Sequence, residues 1–343
     1  ITLGEKTDVT AGTITSINGS LITGADSTIT ADTLSAAGNV SVNGTADINE
    51  SITTSSLIVG NGSSVTTATL NLNGNADDGK GTITLGGAVT NADGTQKAAA
   101  LNVANGITAN ALTSAAGSVI TVGADKDIEI AGALELGGAA AANKITAAML
   151  ATGADSELTA NTLDVTDAVI GGKATVNVEM TAAGSVDINT AGSLTAETVN
   201  VDGALTLIKA DDKESGAYVK VTKGLTAGTV GIGDYGILEA GSVDADGSIS
   251  LGSGASAAIE GDVVAKTLVA ADESNINAEN VIASEGVGLG AGVTANVKNI
   301  TVSDGALSIG NNSELTAGVV TASEGISLGA GVTANVNDIT VSD

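Results

Sequence analysis

Acidic residues in glycine-containing turns are the residues of this chain best suited to chemistry. Asp244-Ala-Asp246-Gly247, for example, places two carboxylates in one such turn. Oxygen ligands in tight turns suit a hard cation such as calcium, although Asp and Asn are also ordinary turn-forming residues. Neither an EF-hand loop nor a Gly-Gly-x-Gly-x-Asp repeat occurs. The sequence predicts calcium as a cofactor, with these candidate ligands: Asp244, Asp246, Asp77, Asp78 and Asp93.

Catalysis is disfavoured by the residues that are missing. The chain has no His and no Cys, which removes the commonest general base and the thiolate nucleophile. A carboxylate pair such as Asp211 with Asp212, or Asp244 with Asp246, could still hydrolyse a glycosidic bond. Tyr218 and Tyr235 are the only aromatic residues that could support a sugar. We therefore predict that the protein is not an enzyme, and we keep a polysaccharide-active enzyme as a lesser alternative.

Net charge limits the possible partners of the protein, and composition limits the kind of hydrophobic core that it can form. The formal net charge is −27, from 39 acidic residues and 12 basic residues, all of them Lys. Nucleic acid and anionic membrane both bind basic surfaces, so neither is predicted as a partner. No apolar run is long enough to cross a membrane as a helix. Pro, Trp and Phe are absent, so the apolar residues suit a narrow interior of medium side chains rather than a wide globular core.

Internal repetition dominates the C-terminal part of the sequence. The segment Ala283-Ser-Glu-Gly286 returns at Ala322-Ser-Glu-Gly325, a shift of 322 − 283 = 39. A half-period is also visible, because similar phrases begin at Gly286, Gly305 and Gly325, at intervals of 305 − 286 = 19 and 325 − 305 = 20. A period of this length, with short β-type runs and turn residues, predicts a parallel β-solenoid.

One turn of the predicted solenoid has three short strands. In the clearest copy these are 300–302, 306–309 and 314–317, with Gly, Asn, Asp and Ser at the corners. Apolar and small polar residues alternate within each strand, which places Val, Leu and Ile inside. At about 20 residues a turn, the 343 residues predict about 17 turns. Stacked at about 4.8 Å a turn, they predict a rod about 80 Å long.

The domain prediction is one continuous solenoid over residues 1–343. Loop insertions are expected near 75–81, 91–97 and 210–216, where turn-forming residues cluster. An irregular Ala-rich part is expected near 133–152, as a short helix or a distorted turn. The sequence starts and stops in β-type runs, which is expected for a segment of a longer chain or for units that stack end to end.

Ice binding is a further alternative, because some solenoids present ranks of Thr-x-Thr. Thr13-Ile-Thr15 and Thr28-Ile-Thr30 are separated by 28 − 13 = 15 positions, which is not one turn. The sequence therefore predicts no persistent threonine array.

The repeat length and the Gly-x-Leu-x-aliphatic-Gly phrases resemble those of bacterial surface proteins. The similarity is to passengers of autotransporter and filamentous-haemagglutinin-like adhesins, over residues 14–70 and 181–343. The resemblance implies a right-handed β-helix, in keeping with the usual crossover preference. It also implies an extracellular or cell-surface location, as an adhesin shaft or fibre. The predicted partners are further copies of the chain, a host or neighbouring cell surface, or a polysaccharide. A self-assembling surface-layer, sheath or filament subunit remains the main alternative.

Overall fold

The fold is an all-β parallel β-solenoid of about 17 turns, which confirms the predicted class. The computed structural model describes residues 1–73 and 81–342, and every regular element in them is a β-strand. Two compact units are present. The first comprises Ile1–Thr166 with Gly172–Thr175, and the second comprises Asp167–Gly171 with Val176–Asp343.

The strands are short and follow one another closely. Up to residue 170 they are Asp8–Ser16, Leu21–Ile22, Thr28–Ala36, Val40–Val42, Thr45–Thr54, Ser56–Val59, Ser64–Leu72, Thr82–Leu85, Val89–Thr90, Gln96–Lys97, Ala100–Val103, Ile107–Ala109, Ala111–Ser114, Val119–Val122, Ile128–Leu136, Ala139–Thr152 and Glu157–Ile170. The remaining strands are Lys173–Ala182, Val186–Ile188, Ser193–Leu207, Tyr218–Ile232, Ile237–Ala245, Ser248–Leu251, Ser256–Ile259, Asp262–Ala270, Asn275–Leu289, Thr294–Val302, Ala306–Ile309, Glu314–Ala322, Gly325–Leu328 and Thr333–Val341.

Parallel pairing between successive turns gives the length of each turn. In the second unit Thr294 pairs with Glu314, and Glu314 pairs with Thr333, so the intervals are 314 − 294 = 20 and 333 − 314 = 19. The first unit is less regular, since Thr28 pairs with Thr45 at an interval of only 45 − 28 = 17. The predicted turn length is therefore found in the C-terminal repeats, and shorter turns occur elsewhere.

Two of the three predicted strands of a turn are joined. Thr294–Val302 is one nine-residue strand that covers two faces of the solenoid, and Ala306–Ile309 forms the third face. Inward and outward residues alternate along Thr294–Val302 until Lys298 and Asn299, which are both outside the core. The chain bends there without losing its pairing to the neighbouring turn, so the corner does not end the strand.

The interior of each unit is a stack of aliphatic side chains. Inward positions carry Val, Ile, Leu and Ala, and they are almost completely buried. In the second unit Val287, Leu307 and Ile326 occupy one inward column on three consecutive turns. β-Branched and leucine side chains suit such a column, because they fill a narrow space between two pleated walls.

One corner of the second unit has a repeat of two turns. Its residues with positive φ (58–68°) alternate between glycine and other types from one turn to the next: Tyr235, Gly254, Glu273, Gly292 and Asn312. Each donates its backbone N–H to a carbonyl of the following turn, at 2.8–3.1 Å. The left-handed conformation costs energy for residues other than Gly. The alternation makes two turns, rather than one, the repeating unit of this corner.

Departures from the plain turn occur at two longer intervals. Ser64 pairs with Ala100, an interval of 100 − 64 = 36 that contains an antiparallel hairpin of Val89–Thr90 with Gln96–Lys97. Ser193 pairs with Tyr218, an interval of 218 − 193 = 25 that contains 210–216. The expected insertion at 75–81 lies outside the described residues except for Gly81. The Ala-rich part at 133–152 is strand rather than helix, with a register shift between Ile130 and Ala133.

Candidate functional site

Asp244 and Asp246 lie side by side on the outside of the second unit. Asp244 is an outward residue of Ile237–Ala245 and is level with Thr226 on one neighbouring turn and Val264 on the other. Asp246 follows the strand, and its backbone N–H is bonded to the Ala227 carbonyl at 3.0 Å. Both side chains are exposed. The neighbours on the adjacent turns thus bring an apolar group and a hydroxyl, but no further carboxylate, to this position.

Asp93 lies at the tip of the antiparallel hairpin in the first unit. Its carboxylate accepts bonds from the Thr95 hydroxyl at 2.6 Å and the Thr95 backbone N–H at 2.9 Å. These two bonds lower the pKa of Asp93, and they make the carboxylate part of the turn itself. Asp77 and Asp78, the other two candidate ligands, lie outside the described residues.

Among the described candidate calcium ligands, Asp244 and Asp246 are neighbours in the second unit, and Asp93 belongs to the first unit. Within residues 1–73 and 81–342, no group of three or more acidic side chains is arranged to hold a metal ion. Calcium binding stays a prediction from the sequence.

The carboxylate pair Asp211 and Asp212 lies in the exposed segment before Tyr218. Asp212 accepts bonds from the Ser215 hydroxyl at 2.7 Å and the Ser215 backbone N–H at 2.9 Å. Those bonds lower the pKa of Asp212. A general acid requires a raised pKa, so the local chemistry of Asp212 is that of a turn-capping carboxylate.

Hydroxyl side chains form an ordered array on one face of the first unit. Thr13 pairs with Thr33 rather than with Thr28, and the Thr33 hydroxyl is 3.1 Å from that of Thr13. Two outward columns extend over four turns: Thr13, Thr33, Ser51 and Thr69 in one, and Thr15, Ser35, Thr53 and Asn71 in the other. The sequence comparison of Thr13 with Thr28 missed these columns, because Thr28 pairs with Asp8 whereas Thr13 pairs with Thr33. The columns mix Thr, Ser and Asn, so they are not a persistent array of threonine.

The array ends beside a large open groove. This groove has a volume of about 570 Å³, and its lining includes the charged residues Lys126, Asp127 and Glu129. Uncharged hydroxyls therefore cover only the first four turns of this face. A continuous array along the unit would be needed to present a large regular surface to ice.

A second groove, in the second unit, combines an apolar floor with a polar rim. Its volume is about 270 Å³. The half-buried Ala258 lies at the floor, above the inward residues Val221, Ala240 and Ile259. The rim carries two carboxylates, an ammonium group, an amide and a hydroxyl. The lining residues are Lys220, Val221, Thr222, Glu239, Ala240, Gly241, Ala258, Ile259, Glu260 and Asn277. We call it the Lys220–Asn277 groove.

The backbone shapes the Lys220–Asn277 groove. Three of its four turns have a strand that continues through this corner, namely Tyr218–Ile232, Ile237–Ala245 and Asn275–Leu289. The remaining turn is interrupted at Glu260 and Gly261. At the same corner the register shifts between Val221 and Gly224. Irregularities of this kind bend a strand and redirect its side chains, and they are common beside functional sites.

Three polar side chains form a cluster at one end of the groove. Lys220 Nζ lies 3.1 Å from the Glu239 carboxylate. That pairing lowers the pKa of Glu239, with a further contribution from a bond to the Tyr218 hydroxyl, and it raises the pKa of Lys220. The pKa of Tyr218 is raised chiefly by burial and secondarily by Glu239. The carboxylate is thus held ionised and oriented beside the groove.

Sequence reasoning did not identify this site, although its residues follow the turn length. Lys220, Glu239, Ala258 and Asn277 are paired on four successive turns. The interval from each to the next is constant, since 239 − 220 = 258 − 239 = 277 − 258 = 19. Carrying that spacing through this part of the chain would have placed them in one column.

Comparisons with known proteins found no match, so a function has to be argued from the fold and from these sites. No family model matches the chain, and no curated protein or solved structure is significantly similar to it. In the described part of the chain there is also no helix long and apolar enough to cross a membrane.

Proposed function

We propose that the protein is a non-enzymatic structural and adhesive module on the outside of a microbial cell. The observation that carries the proposal is the turn-by-turn registry of the two units. Each turn binds the next through parallel pairing and a shared aliphatic column, as between Leu307 and Ile326. Stability then grows with the number of neighbouring turns. Such a stack is suited to holding binding groups away from a surface.

The acidic, polar exterior supports the same proposal. Inward residues are aliphatic and outward residues are mainly Thr, Ser, Asn and Asp. The charge of −27 keeps copies of the chain apart in solution. The sequence resemblance to autotransporter and filamentous-haemagglutinin-like passengers supports a bacterial surface location, with a polysaccharide or another cell surface as partner.

Bead retention under flow tests the proposal. Beads coated with the protein are compared with beads coated with an unrelated protein of similar negative charge, on layers of microbial cells, host cells and purified polysaccharide. We expect selective retention on at least one layer, without release of soluble sugar. Equal retention of both kinds of bead on every layer, or cleavage of the polysaccharide, would contradict the adhesive, non-enzymatic function.

A further inference from the structure

We propose that the Lys220–Asn277 groove of the second unit is a binding site for an oligosaccharide. The proposal rests on the adhesive function and assigns it a ligand class and a location. In this groove apolar surface, ionised groups and an amide converge on one space. Sites for small molecules have this composition: a mainly apolar lining with a few placed polar groups.

The floor fits the apolar face of a sugar ring. Ala258 presents its methyl group, whereas Val221, Ala240 and Ile259 are inward residues whose buried side chains close the bottom from the core side. No aromatic side chain is needed for this contact, because the C–H face of a pyranose packs against any flat apolar surface. Apolar contact of this kind contributes about 25 cal/mol per Å² of surface removed from water.

The rim fits the hydroxyl groups at the edge of the ring. Ionised Glu239 and Glu260 can only accept hydrogen bonds, whereas Lys220 only donates and Asn277 does both. Sugar hydroxyls donate and accept, so they match this mixture. The bond from the Asn296 amide to Asn277 Oδ1, at 3.2 Å, orients the Asn277 side chain from the next turn.

The direction of the groove favours a chain of sugars over a single one. Its rim residues Lys220, Glu239 and Asn277 belong to one outward column that crosses four turns. Three steps of about 4.8 Å make a path of about 14 Å along the stack. This path exceeds the width of one sugar ring, so the geometry favours an oligosaccharide.

The groove is kept open by residues without bulky side chains. Gly241 cannot accept one, since a β-carbon there would collide with the backbone carbonyl oxygen of Lys223. Gly261 is similarly restricted, with the carbonyl of Gly241 at 2.9 Å from the position of a β-carbon. Ala258 differs from both, because it is an outward, half-buried residue of Ser256–Ile259. A larger side chain at position 258 would fill the groove from outside without entering the core.

An array of immobilised neutral hexose and N-acetylhexosamine oligosaccharides is the first test, followed by calorimetric titration of the strongest ligand. We expect Ala258→Gln to weaken binding about tenfold or more. Ser308→Gln is the matched control, since Ser308 is an outward residue on another face of the same unit, and its affinity should stay within about twofold. Circular dichroism and urea unfolding establish that both variants are folded.

Asn277→Ala provides a second variant that removes a rim group without adding volume. We expect a smaller loss of affinity than for Ala258→Gln, with the same ligand preference. Absence of binding to every oligosaccharide on the array would overturn the assignment, as would equal binding by the wild type and both groove variants. Bead adhesion separates the two proposals. Retention that persists in folded Ala258→Gln would place adhesion elsewhere, whereas loss of sugar binding and retention together would tie adhesion to the groove.

Discussion

Tyr235 lies directly over Gly254 at one corner of the second unit. A β-carbon on Gly254 would stand 2.8 Å from Tyr235 Cε1, and both residues have positive φ. The tyrosine ring therefore occupies the space that a side chain on the next turn would need. The same relationship recurs four turns later, where Asn312 lies over Gly331. At these two levels glycine is favoured by its positive φ, and a larger residue would also require the side chain of Tyr235 or Asn312 to move.

Replacing Gly254 by Ala is expected to destabilise the second unit. The left-handed conformation costs a residue with a β-carbon about 1–2 kcal/mol, and the contact with Tyr235 adds to this. The midpoint of urea unfolding, followed by circular dichroism, measures the change. Gly288→Ala is the control: its φ is not positive, and its β-carbon would make only an ordinary 3.6 Å contact with Ser308. We expect it to stabilise by about 0.4–1 kcal/mol, and equal effects of the two variants would contradict the argument.

Leu268 and Val269 are neighbours on one strand and face opposite sides of the wall. Leu268 is 2% exposed and Val269 is 51% exposed. Leu268→Ala removes packing from the aliphatic column and leaves a cavity, which costs about 2–5 kcal/mol. Val269→Ala should change the free energy of unfolding by no more than about 0.5 kcal/mol. A reversed order in denaturant unfolding would mean that the strand register is wrong.

Hydrogen bonds between side chains link three turns through the amide of Asn280, and we call them the Asn280 ladder. Asn280 Nδ2 donates to Asp262 at 2.6 Å, and Asn280 Oδ1 accepts from Asn299 Nδ2 at 2.7 Å. Asn280→Ala breaks both bonds and leaves two partners unsatisfied, at a cost of about 1–3 kcal/mol. Asn299→Ala breaks only one of them and should cost less. Thermal unfolding of the two variants under the same conditions gives the order.

Asn280→Asp tests the ladder through pH. The new carboxylate would face that of Asp262, and repulsion between like charges raises the pKa of such a pair. The folded-state pKa would then exceed the unfolded value, so the destabilisation is present at neutral pH and is relieved as the pH falls through the raised pKa. Stability that is lower than wild type at pH 7 and approaches it near pH 4 is the expected result. A difference independent of pH would rule out the electrostatic explanation.

Lys220→Met is expected to raise the pKa of Glu239 towards its ordinary value of 4.5, since Lys220 is the largest cause of the lowering. A carboxylate with a lowered folded-state pKa contributes stability above its unfolded pKa and loses it as the pH falls. The variant should therefore lose a little stability at neutral pH and show a weaker decline in acid. Both side chains are over 40% exposed, so screening by solvent should keep the change in stability small.

Carbon-13 NMR titration of the glutamate carboxyl groups measures this shift directly. Lys298→Met is the matched control, because Lys298 pairs with Glu279 at 2.7 Å on a different turn. The control should leave the Glu239 titration unchanged. An unchanged Glu239 titration in Lys220→Met would show that the ion pair does not form in solution.

The sequence predicts calcium binding at Asp244 and Asp246. If calcium binds there, millimolar calcium should raise the unfolding temperature. The rise should disappear in the double variant Asp244→Asn, Asp246→Asn, because the amides lose the charge that attracts the cation. Asp93→Asn should affect only the hairpin in the first unit. Differential scanning calorimetry with calcium and with chelator provides the measurement, and identical curves would exclude a calcium site at any of the three residues.

Much of the local architecture could be predicted from the sequence because it depends on short-range patterns. Alternation in Ala306–Ile309 places Leu307 and Ile309 inside, as observed. The joined strand Thr294–Val302 could not be predicted, because its corner at Lys298 and Asn299 bends without a glycine and without leaving the extended conformation. Pairing with the neighbouring turns holds that bend in place.

The sequence by itself determined the solenoid class, the aliphatic interior and the length of the C-terminal turns. These features follow from local periodicity, since each turn repeats the pattern of inward, outward and corner residues of the turn before it. Only the tertiary structure decided which residues of neighbouring turns pair with each other. Pairing intervals range from 149 − 133 = 16 at Ala133 to 100 − 64 = 36 at Ser64, so differences in turn length accumulate along the chain. They place Thr13 beside Thr33, and they carry Lys220 and Asn277, which are distant in the sequence, to the rim of one groove.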